Sequence, residues 1–439
     1  MRRLLRILKF TSLALLALLS VGLIWFGISK WRANARFVAK LQELRDQQLP
    51  TSLADLKLTP PPPEKNAVTY LRRAQGEATA IAREVESACK AAGDTDEDSS
   101  HYEAVWAGRL TPTMQQGIRD ALANHPTAIP LLLQACNSPE YDWHYDYDAG
   151  TQYNGRETSF LDQCLDSDSV GYKRDVFRVL YYHTLLLASE GKTEESLQTC
   201  RAMLRLAKFF AQDPMLVNYL VADAVYSIVT FNAINQVLRS GPLTPETHAA
   251  LDAALADLDL EHQFRQAMMS ERAYSVQCFQ EMSEVWKVIL LTRFDDRLVY
   301  LSLFDQVAKD SNRPFDAKLR SELAAMGATG GVFSNLILPA LENGRESLAR
   351  TQAKQRILRV LNLLVQRDPT GKNGLTIEQL GLPVEATVDP FDGKPLRIKH
   401  TGAGWLVYSV GKNLQDDGGK LDDDRTDVGV GPIELAPSR

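Results

Sequence analysis

The stretch VFRVLYYHTLLLASEGKTEESLQTCRAMLRLAKFF, residues 176–210, decides the fold class because it is a leucine- and alanine-rich pattern of helical type. Gly191 separates its two halves and is typical of the end of a helix. Thr193, followed by Glu194 and Glu195, is typical of the start of the next helix. The stretch therefore predicts two helices joined by a short turn, a helical hairpin.

Similar punctuation continues on the C-terminal side of this hairpin. Asp-Pro at Asp213 and Thr-Pro at Thr244 each predict the start of a further helix, and Gly241-Pro242 predicts the break between them. These helices superficially resemble tetratricopeptide units, but the 34-residue signature of that repeat does not recur at a fixed period. We therefore predict an irregular bundle of helical hairpins, with residues 66–335 as a helical domain.

The last part of the chain has a different pattern. Residues 312–345 are richer in glycine and proline, which places a domain boundary there. The following stripe of apolar residues predicts a helix over 345–367, and Gly402 and Gly404 predict the turn of a β-hairpin whose second strand begins at Trp405. Residues 345–439 are thus predicted to form a small α+β module, and the overall fold class is mainly α.

The N-terminal part contains the longest apolar stretch. Residues 10–28 contain no charged residue, and at about 1.5 Å per residue they reach roughly 28 Å, close to the hydrocarbon thickness of a bilayer. We predict a cytoplasmic tail at 1–9 and a transmembrane anchor at 10–29 of a single-pass protein in the inner membrane, with the body outside the cytoplasm. Two alternatives are a signal peptide cleaved near Ala33-Asn34-Ala35 and a buried core helix.

Residues 30–65 connect this anchor to the body. They are predicted to continue as a juxtamembrane helix and then, at the four prolines of residues 60–63, to adopt an extended polyproline conformation. We interpret this segment as a spacer that lifts the body off the membrane. Asn66 is predicted to cap the next helix.

The distribution of charge along the chain narrows the classes of partner that the protein can bind. The chain has a formal net charge of −6, while its first 45 residues carry nine Lys or Arg and one acid, so the body is acidic. An acidic body argues against nucleic acid as a partner, because nucleic acid requires a basic face on the protein. The expected partners are therefore the bilayer, at residues 10–29, and envelope proteins.

Five widely spaced cysteines argue against a disulfide framework and for buried free thiols.

Residues 141–153, YDWHYDYDAGTQY, are the most unusual internal stretch. Carboxylates beside aromatic residues can bind sugars or supply a general acid, so Asp142, His144 and Asp146 are candidate catalytic residues of a glycan-directed hydrolase. An EF-hand-like calcium loop from Asp146 to Glu157 is a second interpretation, although its turn glycine is missing. The third is a loop that fills an apolar seam between helices.

Six aspartates near the C-terminus form the second candidate site. They lie within twelve residues, where Gly418 and Gly419 would let the loop fold back: Asp416, Asp417, Asp422, Asp423, Asp424 and Asp427. Calcium takes six to eight oxygen ligands at flexible positions, and such a loop can supply them. The alternative is a solvated acidic segment.

The module around this loop resembles the C-terminal module of the type II secretion major pseudopilins. The resemblance rests on helix 345–367, on DPFDGKPL at 389–396 and on YSVG at 408–411. In that family an Asp-Pro-Trp-Gly-x-Pro-Tyr motif and a β-hairpin precede an acidic glycine loop that binds calcium. The resemblance implies Ca²⁺ ligation among five of the aspartates: Asp416, Asp417, Asp422, Asp423 and Asp424. The chain lacks the prepilin cleavage motif and has a long helical domain before the module, so it is not itself a pseudopilin.

As a whole, the chain resembles a group of uncharacterised planctomycete membrane-anchored proteins. The shared features are an N-terminal anchor, a proline stretch followed by a helix at 60–74, helical hairpins, and the DPFDGKPL, YSVG and Asp-Asp-Gly-Gly motifs. This resemblance implies an architecture and no particular activity.

The function predicted from these features is a non-enzymatic scaffold or assembly protein of the cell envelope. Common catalytic motifs are missing from the sequence, including the zinc-protease His-Glu-x-x-His, the P-loop and the Gly-x-Ser-x-Gly elbow. The alternative is an envelope-facing hydrolase with a cleft around Asp142–Asp148.

Overall fold

The computed structural model describes residues 2–91, 110–149, 159–165, 167–228, 233–240, 242–282, 296–402, 404–421 and 426–430. The described part is mainly helical, and its α-helices in chain order are α1 Arg2–Asp46, α2 Ala67–Ala91, α3 Pro112–Asn124, α4 Ala128–Asn137, α5 Phe160–Leu165, α6 Ser167–Ser189, α7 Thr193–Phe210, α8 Leu216–Ile228, α9 Ile234–Ser240, α10 Pro245–Ala256, α11 Leu260–Glu281, α12 Asp296–Lys309, α13 Ala317–Ala328 and α14 Val332–Arg367. Three short strands follow: β1 Arg397–Thr401, β2 Gly404–Ser409 and β3 Val428–Val430.

The hairpin from which the fold class was predicted is confirmed as α6 and α7. Gly191 lies between the two helices with a φ of 73°, a left-handed conformation that suits glycine. The apolar faces of both helices are buried in the main hydrophobic core. One continuous cluster of buried side chains runs from Ala67 in α2 to Val430 in β3.

The longest helix of the body, α14, begins earlier than predicted. It starts at Val332 instead of near residue 345 and passes through Asn343-Gly344 without a break. A Cβ at Gly344 would lie 3.4 Å from a methyl carbon of Leu216 in α8 and 3.6 Å from the Phe264 ring in α11, which is ordinary van der Waals contact. The glycine that predicted a loop by composition therefore lies in a regular helix, where the packing does not require it to be glycine.

The C-terminal sheet contains the predicted hairpin and one strand more. β1 and β2 are antiparallel, with Ile398 opposite Val407, and β3 pairs with the other edge of β2. The Trp405 indole N–H donates to the carbonyl of Asp368 at 2.6 Å, just beyond the end of α14. The sheet thereby packs on α14, as predicted.

Helix α1 and the chain just after it are in direct contact with the body, while the role of the proline segment as a spacer from the membrane stays a prediction. The second half of α1 buries Phe37, Leu41 and Leu44 against α11 and α12. After α1, Leu53 is fully buried and its N–H donates to the side chain of Gln277 at 3.0 Å. The prolines are not helical, as predicted, but the chain before them lies on the body because apolar side chains anchor it there.

The five cysteines are thiols that form no disulfide with one another. Cys89, Cys136, Cys164 and Cys200 are buried and Cys278 is half-buried. Burial raises the pKa of the Cys136 and Cys200 thiols to about 12, so both are protonated at neutral pH.

Candidate functional site

A buried ion pair lies beneath the aromatic loop at residues 141–149. The Lys173 ammonium in α6 lies 2.5 Å from the carboxylate of Asp213, which follows α7, and the two side chains are 1% and 3% exposed. The hydroxyl of Tyr141 donates to the same carboxylate at 2.8 Å. Burial raises the pKa of the Asp213 carboxyl, an effect that the Lys173 charge opposes. The ion pair thus joins α6 to the segment after α7, and the Tyr141 hydroxyl attaches the loop to it.

Aromatic rings surround the ammonium group on several sides. Lys173 Nζ lies 5.2 Å from the ring of Trp143 and 5.3 Å from that of Phe210, distances at which a cation is attracted to a ring face. The Tyr145 hydroxyl lies 3.2 Å from the same nitrogen. The aromatic residues that suggested a sugar site in the sequence therefore stabilise a lysine of the protein itself.

The three predicted catalytic residues contribute to the shape of this loop. Asp142 accepts the backbone N–H of His144 at 2.8 Å, and its other oxygen lies 3.0 Å from the His144 ring nitrogen Nδ1. Asp146 instead accepts the N–H of Asp148 at 3.0 Å. The structure brings Asp142 and His144 together as a pair, whereas the backbone N–H of Asp146 donates to the side chain of Gln163 at 2.8 Å. The hydrolase interpretation stays a prediction, as does the EF-hand interpretation, because Glu157 lies outside the described residues.

Asn66 connects this loop to the start of α2. Its side-chain oxygen accepts the N–H groups of Val68 and Asp142, both at 3.1 Å, and its NH₂ group donates to the Asp142 carbonyl at 2.9 Å. The predicted helix cap is confirmed. The same side chain also holds the loop in place through its two hydrogen bonds to the backbone of Asp142. Sequence spacing could not reveal this second role.

Lys173 and Asp213 were not identified as a site from the sequence. Asp213 was interpreted as the start of a helix because a proline follows it, and Lys173 is one of many basic residues on helices. One usable signal was present: a lone aspartate follows Phe209-Phe210 and precedes an apolar helix, where an acid requires a partner.

Two of the predicted calcium ligands, Asp416 and Asp417, lie in the turn after β2. Asp416 accepts the N–H of Gly418 at 2.9 Å and the Tyr408 hydroxyl at 3.0 Å, and the former contact lowers the pKa of its carboxyl. Asp427 accepts the N–H of Gly419 at 2.6 Å. In the described part of the chain no three His, Cys, Asp or Glu side chains converge as metal ligands. The other predicted ligands, Asp422, Asp423 and Asp424, lie outside it.

The start of the DPFDGKPL motif is a buried hydrogen-bonding centre. Asp389 is fully buried and accepts hydrogen bonds from the N–H groups of Phe391 and Val410, each at 2.9 Å, and from the Ser409 hydroxyl at 2.8 Å. The Arg397 guanidinium pairs with the same carboxylate at 2.6 Å. The motif joins the turn to β1 and to the end of β2, which is a structural role.

A groove of about 330 Å³ lies along α7, between α4 and α6. Its apolar walls include Leu133 and Leu187, and its polar side contains Arg201 and His183. The Nε of Arg201 and the Nδ1 of His183 are buried and have no hydrogen-bond partner within the described ranges. Burial lowers the pKa of His183 to about 4, so the ring is neutral at neutral pH.

A second depression of about 210 Å³ lies on the other side of the same arginine, between α7 and α10. Arg205 borders both depressions and is held by the side-chain oxygen of Asn137 at 2.8 Å. We name the two depressions together the α7 groove. The basic residues Arg201, Arg205 and Lys208 outnumber the acids Glu195 and Asp257 in this lining, so the groove suits an anionic group carried on an apolar chain.

The fold and these sites define a class: a mainly helical protein with one N-terminal apolar helix and a small antiparallel sheet at its C-terminus. Comparison of the chain with models of protein families, with curated proteins and with solved structures finds no match in any of the three.

Proposed function

We propose that this chain is a single-pass membrane-anchored scaffold protein of the cell envelope, with its N-terminus in the cytoplasm and its body outside the inner membrane. The observation that carries the proposal is α1, which is long and apolar enough to cross a membrane and whose apolar half is not buried by the body. The exposed side chains include Phe10, Leu18 and Ile24. Nineteen uncharged residues kept in water would be costly, whereas in a bilayer they are stable.

The α7 groove is the docking face that we assign to a protein partner. The Nε of Arg201 makes no hydrogen bond with the described residues, and the groove around it contains the apolar side chains of Leu133 and Leu187 as well as the carboxylate of Glu195. An acidic segment of another envelope protein would pair with Arg201 and Arg205 while its apolar side chains cover Leu133 and Leu187. Charge-assisted contacts of this kind are stronger than neutral ones.

Photocrosslinking tests this function. The full chain, with a photoreactive residue in place of Gln198 in the groove, should form an adduct with another protein in native membranes. The adduct should stay in the pellet after alkaline carbonate extraction. The double variant Arg201→Glu, Arg205→Glu should reduce the adduct by about tenfold or more, since reversing contact charges costs at least about 1.4 kcal/mol.

A photoreactive residue in place of Val384, which is 70% exposed and lines neither depression of the groove, is the matched control and should give no charge-dependent adduct. Equal crosslinking by the wild-type chain and the charge-reversed chain would contradict docking in the groove. Release of the protein by carbonate would contradict the anchor instead.

Calcium binding by the acidic loop is a separate part of the proposal, supported by the pseudopilin resemblance and by the carboxylates of Asp416 and Asp417 in a glycine turn. A ligand that binds only the folded state raises the melting temperature. We expect millimolar Ca²⁺ to raise the melting temperature of the chain by a few degrees and a chelator to reverse the rise. Mg²⁺ at the same concentration is the control. No shift with Ca²⁺ would exclude the site.

A further inference from the structure

One face of the C-terminal half of α1 is part of the core of the body. The buried side chains on this face follow one another at intervals of three or four residues, which places them on one side of the helix: Ala33, Phe37, Leu41 and Leu44. The last three pack with Val276 and Phe279 of α11 and Leu301 of α12 in one hydrophobic cluster. Residues 33–44 are therefore a structural element of the body as well as a continuation of the apolar helix.

No break in α1 separates this face from the apolar half of the helix. The helix is continuous from Arg2 to Asp46, and residues 28–46 contain neither proline nor glycine, at which helices commonly kink. Ile28 is still 47% exposed, and burial begins five residues later at Ala33. The connection between the apolar half of α1 and the body is therefore short and helical.

Charged residues next to the hydrophobic cluster join α1 to two helices of the body. One oxygen of the Asp305 carboxylate in α12 lies 3.3 Å from the Lys40 ammonium of α1, and the other accepts a hydrogen bond from the Arg272 guanidinium of α11. Arg272 is 3% exposed and also donates to the carbonyl of Pro50, just after α1, at 3.4 Å. Asp305 thus binds one cation of α1 and one of the body at the same time.

Further contacts extend along α1 and beyond its end. The Arg297 guanidinium of α12 lies 4.3 Å from the centre of the Phe37 ring, and the Phe279 ring meets Phe37 edge to face at 6.3 Å. After α1, the N–H of Leu53 donates to the side chain of Gln277 at 3.0 Å. Contacts spread over this length restrain both rotation and tilting of α1 against the body.

We propose that α1 and the body form one rigid unit, and that Asp305 is the positioning residue that fixes the angle between them. A body joined to its membrane helix by a flexible loop could turn freely, whereas this body shares part of its core with that helix. The body therefore keeps one orientation relative to α1. Its orientation relative to the bilayer is a further consequence, which rests on the anchoring role of α1 proposed above.

Distance measurements by pulsed electron paramagnetic resonance test the rigid unit. The full chain with Cys278→Ser carries spin labels at Trp31→Cys in α1 and at Val384→Cys in the C-terminal module, and it is reconstituted in vesicles of phosphatidylcholine and phosphatidylglycerol. Trp31 is 71% exposed and Val384 is 70% exposed, and the other four cysteines are buried. We expect one narrow population of distances between the two labels.

Adding Asp305→Asn should widen this distribution about twofold or more, because Lys40 and the buried Arg272 both lose their carboxylate. Asp252→Asn is the matched control. Asp252 is 26% exposed, against 27% for Asp305, and it pairs with Arg359 of α14 at 2.8 Å instead of with α1. This control should leave the width unchanged.

Three outcomes would overturn the proposal. A broad distribution in the labelled chain without further substitutions would contradict the rigid unit. An unchanged width in Asp305→Asn, or equal widening in the Asp252→Asn control, would contradict the positioning role of Asp305.

A second variant keeps the test decisive if Asp305→Asn does not fold. The double variant Phe37→Ser, Leu41→Ser removes apolar contacts of α1 and leaves the pair of Asp305 with Arg272 in place. It should also widen the distribution, and an unchanged width would contradict the contact between α1 and the body as the cause of rigidity.

Alkaline carbonate extraction of the same vesicles separates this proposal from the anchor. Protein retained in the pellet with a broad distribution contradicts the rigid unit alone. Protein released into the supernatant contradicts the anchor, and the same two labels measured in detergent then decide whether α1 and the body are rigid.

Discussion

Replacing Lys173 with methionine should cost about 3–5 kcal/mol of unfolding free energy, because Asp213 would be left as a buried charge with no cation. The carboxylate is 3% exposed, and the neutral hydroxyls of Tyr141 and Tyr145 that also bind it cannot replace the charge of the ammonium group. The measurement is urea denaturation of the chain from residue 30 onward. The apolar half of α1 is not buried by the body, so its removal leaves the core intact.

Two matched variants show whether the buried pair is the cause. Lys57→Met removes a lysine from an ion pair with Asp148 in which both side chains are more than half exposed, and it should leave the unfolding free energy nearly unchanged. The double variant Lys173→Met, Asp213→Leu removes both charges and should recover at least half of the loss. A loss below about 1 kcal/mol in Lys173→Met would contradict the pair.

Replacing Asp389 with alanine should have a second large effect, about 3–5 kcal/mol, because one substitution leaves several buried groups without an acceptor. These are the N–H groups of Phe391 and Val410, the Ser409 hydroxyl and the Arg397 guanidinium. The β-sheet should loosen first, so hydrogen exchange at the β2 amides should accelerate together with the loss of stability.

Asp392→Ala is the control within the same motif. Asp392 also pairs with Arg397, and its side-chain oxygen accepts the N–H of Lys394 at 3.0 Å, but it does not bind the end of β2. We expect about 1–2 kcal/mol. Equal losses in the two variants would mean that the turn alone, and not the link to β2, carries the stability.

Much of the fold was predictable because its signals are local. The α6–α7 hairpin follows from Gly191 and the capping residues after it, and the β1–β2 hairpin follows from the glycine turn at Gly402 and Gly404. Errors occurred where packing overrides a local signal. Gly344 was expected in a loop but is in a helix, and β3 is too short at Val428–Val430 to produce a period.

The candidate sites were less predictable because their partners are distant in sequence. Lys173 and Asp213 are 40 residues apart, and Asp389 meets Val410 across 21 residues. Composition identified the aromatic loop at 141–149 as unusual, but only the tertiary structure shows that its rings contact the buried ammonium group of Lys173.

The sequence by itself determined the helical class, the apolar N-terminal helix and the β-hairpin at the end, because helical periodicity, a long uncharged run and turn glycines act over a few residues. Only the tertiary structure decided which charges are buried together, where the body lies against α1 and which apolar face is left exposed. Those features depend on desolvation and on close packing between residues that are far apart in the chain, so a local sequence pattern cannot predict them.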